Sequence, residues 1–484
     1  MGHSLQTVKK DNLTVAPRIV LLLSAIIFVS FAVKISIAWI TRDTVSYFDE
    51  WDYYERAVGI LEDPNCNEIY RPPGYVSFLT AIFWLFGKNL FAVKAAQVVI
   101  STLSVLLAFK VAADIFDQKV GMLAAGIFAF YPELIAYSHY LWRETIYIFY
   151  LLALFYILTL ASSEYRRYRI VLAGIACGTC AMIRASLADI LPICVLCFYL
   201  IKKSWRQFII IILLFLFGVI FVIAPWTIRN YQVTDRFLLI STELGYAVWR
   251  GLNVLIDYGN DYRVYELFDE PGFYEWDDII FPGVKDGRKI NWPEGAEPNP
   301  VDSYRETIRR ARAFALKNPC VVLRRMWPKF CILWGPNSFV IRHLRLGIYG
   351  KNFTAGKLPI RVYPTPKPAL TCTIILIVVL SYCFVLVTGL LGMIFHNMNK
   401  KSLLLVSFII INALIFSILT GVSRYRLQLM PFIIIFSAYA ICHAREIISA
   451  PDMRIRWSFF FLLLGIFVTI CVRYSPIIFD IFLH

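Results

Sequence analysis

Tyr47–Tyr75, YFDEWDYYERAVGILEDPNCNEIYRPPGY, decides how the rest of this chain is read. It follows the first long apolar run and carries Asp49, Glu50, Asp52, Glu55, Glu62, Asp63 and Glu68 before ending in Arg-Pro-Pro-Gly. The spacing predicts a short helix over 47–61, with Trp51, Tyr54, Val58 and Leu61 as an apolar stripe. Asp49, Asp52, Tyr53 and Arg56 fall on another face, at helical intervals. Such a helix suits a membrane surface, apolar side down and carboxylates towards water. Ser46-x-x-Asp49 also resembles a capping box, so Asp49 has a structural reading beside two chemical ones, general base and ion ligand.

Composition sets the class. Hydrophobic residues make up 59% of the chain and charged residues only 17%. Several apolar runs reach the ~18–20 residues needed to span a bilayer, which excludes a large soluble domain. The net charge of +15 is explained by basic loops on the inner side of a membrane rather than by nucleic-acid binding. The first run starts at Ile19 behind Lys9, Lys10 and Arg18. It is too long for a cleaved signal and reads as a retained anchor.

About eleven spans are predicted, near 19–40, 89–112, 119–138, 143–161, 169–186, 187–201, 207–226, 369–395, 402–421, 427–444 and 457–473. The segment 72–87 is apolar but short, and reads as re-entrant or interfacial. Basic clusters at Lys9/Lys10/Arg18, Arg166/Arg167/Arg169, Lys202/Lys203/Arg206, Lys400/Lys401 and Arg445/Arg454/Arg456 mark the inner loops. The same rule puts Tyr47–Tyr75 and residues 227–368 outside. The expected organisation is an N-terminal module, 1–226, with a first outer loop at 41–88. An outer region at 227–368 and C-terminal helices at 369–484 follow. Within the outer region 257–302 reads as loops, 301–317 as an amphipathic helix, and 323–345 as a headgroup-zone segment mixing Trp and Phe with bases. Eleven cysteines are scattered. Cys177 and Cys180 read as small buried side chains, and pairing among Cys66, Cys320 and Cys331 is left open.

Charged residues recur where predicted spans meet the outer face. Arg71 stands before a stiff Pro-Pro and is suited to bidentate phosphate recognition. His139 and Glu144 sit in YSHYLWRETIYIF, beside Arg143. Glu144 at the start of a span calls for a partner or a polar cavity. Arg184, Arg229, Arg250, Arg424 and Arg426 all lie at or near span mouths. Snorkelling to headgroups is the ordinary role there, but their number points to an anionic ligand.

These residues carry a family resemblance. Asp49-Glu50-Trp51-Asp52-Tyr53-Tyr54-Glu55-Arg56-Ala57 resembles the first-loop signature of GT-C glycosyltransferases, in the branch of protein O-mannosyltransferases and the lipid A aminoarabinose transferase. Arg71-Pro72-Pro73-Gly74-Tyr75 is similar to the element that follows it. Ala224-Pro225-Trp226-Thr227-Ile228-Arg229-Asn230-Tyr231 is similar to the family's P-W-x-x-R-N-Y. Arg424-Tyr425-Arg426-Leu427 resembles its late element, with Gln428 where a proline often stands. The resemblance runs in order from about 45 to about 435 and implies an all-α bundle of the GT-C type.

The resemblance further implies transfer of a sugar from a polyprenyl-phosphate carrier to a lipid, glycan or protein acceptor on the outer face, with inversion. Asp49 takes the place of the general base, with Glu50 as the alternative carboxylate and Glu144 at the second acidic position. Arg71 takes the place of the residue that contacts the carrier phosphate. Tyr53, Arg184, Arg229, Arg250, Arg424 and Arg426 are the further candidates for substrate binding. The aminoarabinose branch has a metal-associated Glu before its K-P-P; here Tyr70 stands there, so no metal and no cofactor is expected. The rival readings are a lipid-sugar flippase and a non-enzymatic envelope scaffold. The one-sided clustering of charge and the absence of paired halves weigh against transport.

Overall fold

A computed structural model of the chain describes residues 17–483 apart from 46–48, 64–67, 186, 253–283, 286–287, 290–298, 346–352, 356–357, 361–367, 420 and 450–453. The described residues are almost wholly helical. Helices α1 (Pro17–Ile40), α2 (Asp49–Glu62), α3 (Pro73–Phe86), α4 (Leu90–Ile115), α5 (Gln118–Phe130) and α6 (Pro132–Tyr137) form the first part. They continue through α7 (Glu144–Ser163), α8 (Arg167–Ile183), α9 (Leu191–Ile201) and α10 (Trp205–Thr234). Then come α11 (Glu243–Leu252), α12 (Pro300–Lys317), α13 (Pro319–Trp334) and α14 (Phe339–Arg345). The C-terminal part holds α15 (Pro368–Phe395), α16 (Lys400–Ile418), a 3₁₀ turn (Ser423–Gln428), α17 (Met430–Cys442), α18 (Ala444–Ile448) and α19 (Arg454–Leu483). Two short antiparallel ribbons pair Val284–Lys285 with Arg288–Lys289 and Phe353–Ala355 with Leu358–Ile360. The first lies in a stretch that the sequence reads as loops.

Seven described helices are long and apolar enough to cross a bilayer: α1, α4, α7, α10, α15, α16 and the 454–472 part of α19. The chain is an integral, multi-pass membrane protein. Other predicted spans fall on shorter helices, α5, α8, α9 and α17. The 119–138 span is divided because Pro132, lacking an N–H, starts a new helix after extended Tyr131. Conversely, α10 continues through Pro225 to Thr234, well past the expected exit at 226. Helix α3 rises only about 21 Å and ends on exposed Trp84, Leu85 and Phe86, as a short interfacial segment would.

Local sequence sets the helix starts. Asn89, Asp117 and Ser204 each accept a backbone N–H of the following turn, and Asn399 with Ser402 makes a full capping box. Small residues set the closest crossings. A Cβ on Gly174 would lie 2.2 Å from the Phe215 carbonyl oxygen, and one on Gly218 would lie 2.4 Å from that of Val171, so α8 and α10 meet backbone to backbone. Gly392 does the same for α15 against Phe436 of α17. Cys177, Cys180, Cys194 and Cys197 are all buried free thiols in this packing. Cys320 is also a free thiol, Cys331 is buried, and Cys66 lies outside the described residues.

Helix α7 gives the bundle its two ends. Its first residue, Glu144, belongs to the site below. About 30 Å away its last turn is met by Arg169, which donates to the Leu160 and Glu164 carbonyls at 2.8 and 2.9 Å. Arg169 is one of the bases that the sequence assigns to the inner side.

Candidate active site

The site is built where α2, the Arg71 loop, the start of α7, the start of α11 and the 3₁₀ turn converge. Helix α2 packs on α3 through Glu50, Tyr53 and Ala57, all fully buried, rather than through Trp51, Tyr54, Val58 and Leu61, which are only partly covered. Small Ala57 permits the approach, with its carbonyl accepting from Thr80 at 3.3 Å. The Tyr53 ring meets Tyr75 edge-on at 4.8 Å. This rotation turns Asp49 and Asp52 onto arginines and not, as the stripe suggested, towards open water.

Arg71 is the hub. Its Nη2 donates to Asp49 Oδ1 at 3.0 Å, its Nε to Asp52 Oδ2 at 2.7 Å, and its Nη1 to Glu243 Oε1 at 2.7 Å. Three features hold it there. Glu68 accepts the backbone N–H groups of Tyr70 and Arg71 at 3.0 and 2.9 Å. Pro72 is extended and Pro73 starts α3. Gly74 lies so close to α8 that a Cβ would meet the Met182 carbonyl oxygen at 2.8 Å.

From Arg71 the ion pairs spread in three directions. Glu243 Oε2 accepts from Arg143 at 2.6 Å. Asp52 accepts from Arg56 at 2.8 Å, and Arg56 also contacts Glu68. Asp49 Oδ2 accepts from Arg424, whose Nε donates to Glu144 Oε1 at 2.5 Å. Arg56, Arg71, Arg143 and Arg424 thus face Asp49, Asp52, Glu68, Glu144 and Glu243, four cations against five anions.

Burial alone raises the Asp49 carboxyl, but the charges of Arg71 and Arg424 outweigh it and hold the group well below the usual carboxylate range. Its side chain keeps 35% of its accessible surface, so the arginines dominate. Glu243 is likewise brought down to about 2, against its burial, by Arg143 and Arg71. The Tyr53 hydroxyl is pushed up to about 12, chiefly by burial, and has no hydrogen-bond partner among the described residues.

Beside this network Arg143, Glu144, Tyr147, Ile148, Arg184, Arg424 and Gln428 line a narrow, tightly closed crevice. Arg184 donates to Gln428 Oε1 at 2.5 Å and stacks on Tyr425 at 4.6 Å, and it pairs with no carboxylate among the described residues. Glu144 Oε2 and the Tyr147 hydroxyl are buried without partners there. Among the described residues these two buried oxygens are unsatisfied, and a polar ligand reaching the crevice would supply their partners.

Not every predicted residue converges. Glu50 is fully buried, with its charge acting on Tyr75 of α3 and Lys94 of α4. Arg229 donates to the Glu68 carbonyl at 2.8 Å and so fixes the loop before Arg71. Its motif neighbours Trp226, Thr227 and Asn230 bond the carbonyls of 238–240, and Thr242 N–H then meets the Ile69 carbonyl at 3.0 Å. The P-W-x-x-R-N-Y element thereby delivers Glu243 to Arg71. Arg426 stands apart, fully buried, on Glu133 at 3.3 Å, on the Gly335 carbonyl and over the Tyr382 ring. Arg250 lies in α11, and its side chain is outside the described residues. His139 Nδ1 lies 3.3 Å from the Ile135 carbonyl oxygen, and burial brings the imidazole down to about 3. Arg56, Arg143, Asp52, Glu68 and Glu243 are the network members absent from the sequence-derived site. Among the described residues no three His, Cys, Asp or Glu side chains are grouped to hold a metal ion. Tyr70, at the family's metal-associated position, lies by Arg56 and Arg71 at 5.0 and 5.3 Å.

Residues 70–228 match the family model described as dolichyl-phosphate-mannose-protein mannosyltransferase. Over 150 residues the chain is 31% identical to the undecaprenyl phosphate-alpha-4-amino-4-deoxy-L-arabinose arabinosyl transferase of Pseudomonas aeruginosa (strain UCBPP-PA14). That match covers 30% of this chain and 27% of the relative, so it spans about a quarter of the relative's length. In structure the chain is similar to ArnT from Cupriavidus metallidurans bound to undecaprenyl phosphate. The TM-score is 0.50 at 13% identity, over 96% of this chain and 65% of that one. The chain shares the GT-C fold of that structure, and its residues 70–228 are similar to the dolichyl-phosphate-mannose-protein mannosyltransferase family.

Proposed function

We propose that this protein is a glycosyltransferase that moves a sugar from a polyprenyl-phosphate-linked donor to an acceptor on the outer face of the membrane. The supporting observation is Asp49, a partly exposed carboxylate held between Arg71 and Arg424. Asp49 removes the proton from an acceptor O–H or N–H as that atom attacks the anomeric carbon. The bond from that carbon to the phosphate oxygen breaks on the opposite face, and the carrier phosphate leaves with the electron pair. One displacement inverts the anomeric centre.

The leaving phosphate gains charge, which cations stabilise better than a proton would. Arg71 and Arg424 are placed to supply it. In doing so they share their charge with the phosphate, and the Asp49 carboxylate becomes more basic as the donor settles. The site thus turns its base on by binding its donor. Tyr70 packed by the two arginines favours a reaction without a bound metal ion. The basic inner loops orient the site outward, where a lipid, glycan or protein acceptor is met. A flippase reading has weaker support, because acids and arginines gather at one end of the helices rather than along a path through them.

The test uses the full chain in nanodiscs with radiolabelled polyprenyl-phosphate sugars and host membrane extract. Wild type should label an acceptor, Asp49→Asn should not, and Arg71→Ala should lose donor binding. Equal transfer by wild type and Asp49→Asn would remove Asp49 from the mechanism.

A further inference from the structure

Three acids of the network, Asp49, Asp52 and Glu243, each divide their two oxygens between two arginines, and of these Glu243 is the one that pairs with Arg143. Glu243 gives Oε1 to Arg71 at 2.7 Å and Oε2 to Arg143 at 2.6 Å. Asp52 and Glu68 are shared with Arg56, and Asp49 and Glu144 meet on Arg424. A phosphate offers the same pair of divided oxygens. We infer that Arg71 and Arg143 form an anion site for the donor phosphate, and that Glu243 is a built-in stand-in which the phosphate displaces. This rests on the glycosyltransferase reading above and adds to it a second phosphate-binding arginine and a competing acid.

Three observations carry it. First, Arg71, Arg143 and Glu243 keep only 12%, 9% and 14% of their side-chain surface. Two cations so buried need an anion while no donor is present, since an unpaired buried charge is costly. Second, Arg71 already carries three carboxylates, Asp49, Asp52 and Glu243, so a phosphate reaching it requires an acid to withdraw. Third, the Glu243 backbone is pinned on both sides. Thr242 N–H bonds the Ile69 carbonyl at 3.0 Å. At the far end of α11, Gly251 packs so tightly that a Cβ would lie 2.0 Å from the Leu419 carbonyl oxygen, and Lys329 donates to its carbonyl at 2.6 Å. Exchange is therefore a side-chain rotation of Glu243, with α11 remaining in place. It follows that Glu243 lowers the apparent affinity for every carrier, and most for those whose anionic group cannot bridge both arginines.

The experiment is equilibrium binding of polyprenyl monophosphate to the full chain in nanodiscs, with Glu243→Gln, Arg143→Gln and Arg71→Ala, each checked for a wild-type melting profile. Glu243→Gln should bind the carrier about threefold to tenfold more tightly and lower the donor KM more than it changes kcat. Arg143→Gln should weaken binding. The opposite signs separate the proposal from damage to the fold, which would weaken both. Inorganic phosphate should compete better against wild-type binding than sulfate-free buffer alone, but far more weakly than the lipid. Unchanged or weaker carrier binding by a well-folded Glu243→Gln, with Arg71→Ala abolishing it, overturns the stand-in while leaving the glycosyltransferase reading intact. If no form binds polyprenyl phosphate, both fall.

Discussion

Arg424 and Asp49, 375 positions apart in the chain, are in direct contact, with the Arg424 guanidinium donating to Asp49 Oδ2. The same guanidinium holds Glu144 through Nε and lies 4.1 Å above the Trp142 ring. One side chain from the C-terminal part therefore positions the proposed base of α2 and the first residue of α7. Burial lowers its affinity for a proton, but Glu144 and Asp49 more than restore it, so Arg424 stays charged.

Removing Arg424 should be costly in stability as well as activity. Its pair with Glu144 is only 8% exposed on each side. Arg424→Ala leaves that carboxylate buried and unpaired, a loss of about 3–5 kcal/mol. Arg424→Lys should recover part of the stability but little activity, because one ammonium cannot fork between Asp49 and Glu144. Thermal melting in detergent beside transfer assays would show it.

Asp49→Asn should behave differently. The amide is isosteric and its oxygen can still accept from one of the two arginines, though its NH2 cannot accept from the other, so melting should fall by less than for Arg424→Ala. Transfer should fall by about 10²–10⁴-fold, the usual weight of a positioned general base. Carrier binding should survive, and measuring both on one preparation separates chemistry from binding.

Acid should weaken the fold through His139 before it reaches the carboxylates. His139 is brought down to about 3 in the folded chain from an ordinary 6.5. Between those values the unfolded state binds a proton that the folded state refuses, so stability falls with falling pH, by at most ~1.4 kcal/mol per unit. Glu243 acts later. Its folded value of about 2 lies below the ordinary 4.5, so its contribution is full above 4.5 and is lost as pH drops towards 2. Melting curves from pH 7.5 to 5 should decline for wild type and flatten for His139→Gln.

The α8–α10 crossing should tolerate no added carbon. Gly174→Ala and Gly218→Ala each place a Cβ within 2.4 Å of a backbone oxygen. Each should cost about 1–3 kcal/mol through forced helix separation. Gly126→Ala, where nothing lies within 4 Å of the added carbon, is the matched control in the same melting assay.

Much of this was legible in the sequence where signals are local. Apolar length marked the long spans, and the acid-rich stretch with Arg-Pro-Pro-Gly marked α2 and the Arg71 loop. The face of α2 that is buried was misjudged, because Glu50 in the packed stripe breaks the apolar pattern that periodicity reads. Glu243 left no signal. It lies in a segment of no recognisable motif, and its partners Arg71 and Arg143 are 172 and 100 positions away. Arg426 looked like its neighbour Arg424, yet a two-residue step on a tight 3₁₀ turn sends it to Glu133 instead.

That 3₁₀ turn has a consequence for how the protein is made. Residues 423–428 emerge from the ribosome after most of the helices have been inserted. Until then Asp49 has Arg71 but not Arg424, Glu144 has no cation, and Glu133 waits for Arg426. A nascent chain thus carries its acids long before the bases that complete them. Translation past residue 428 acts as the closing stitch, and a product that stops short of it holds the proposed base in an unfinished setting.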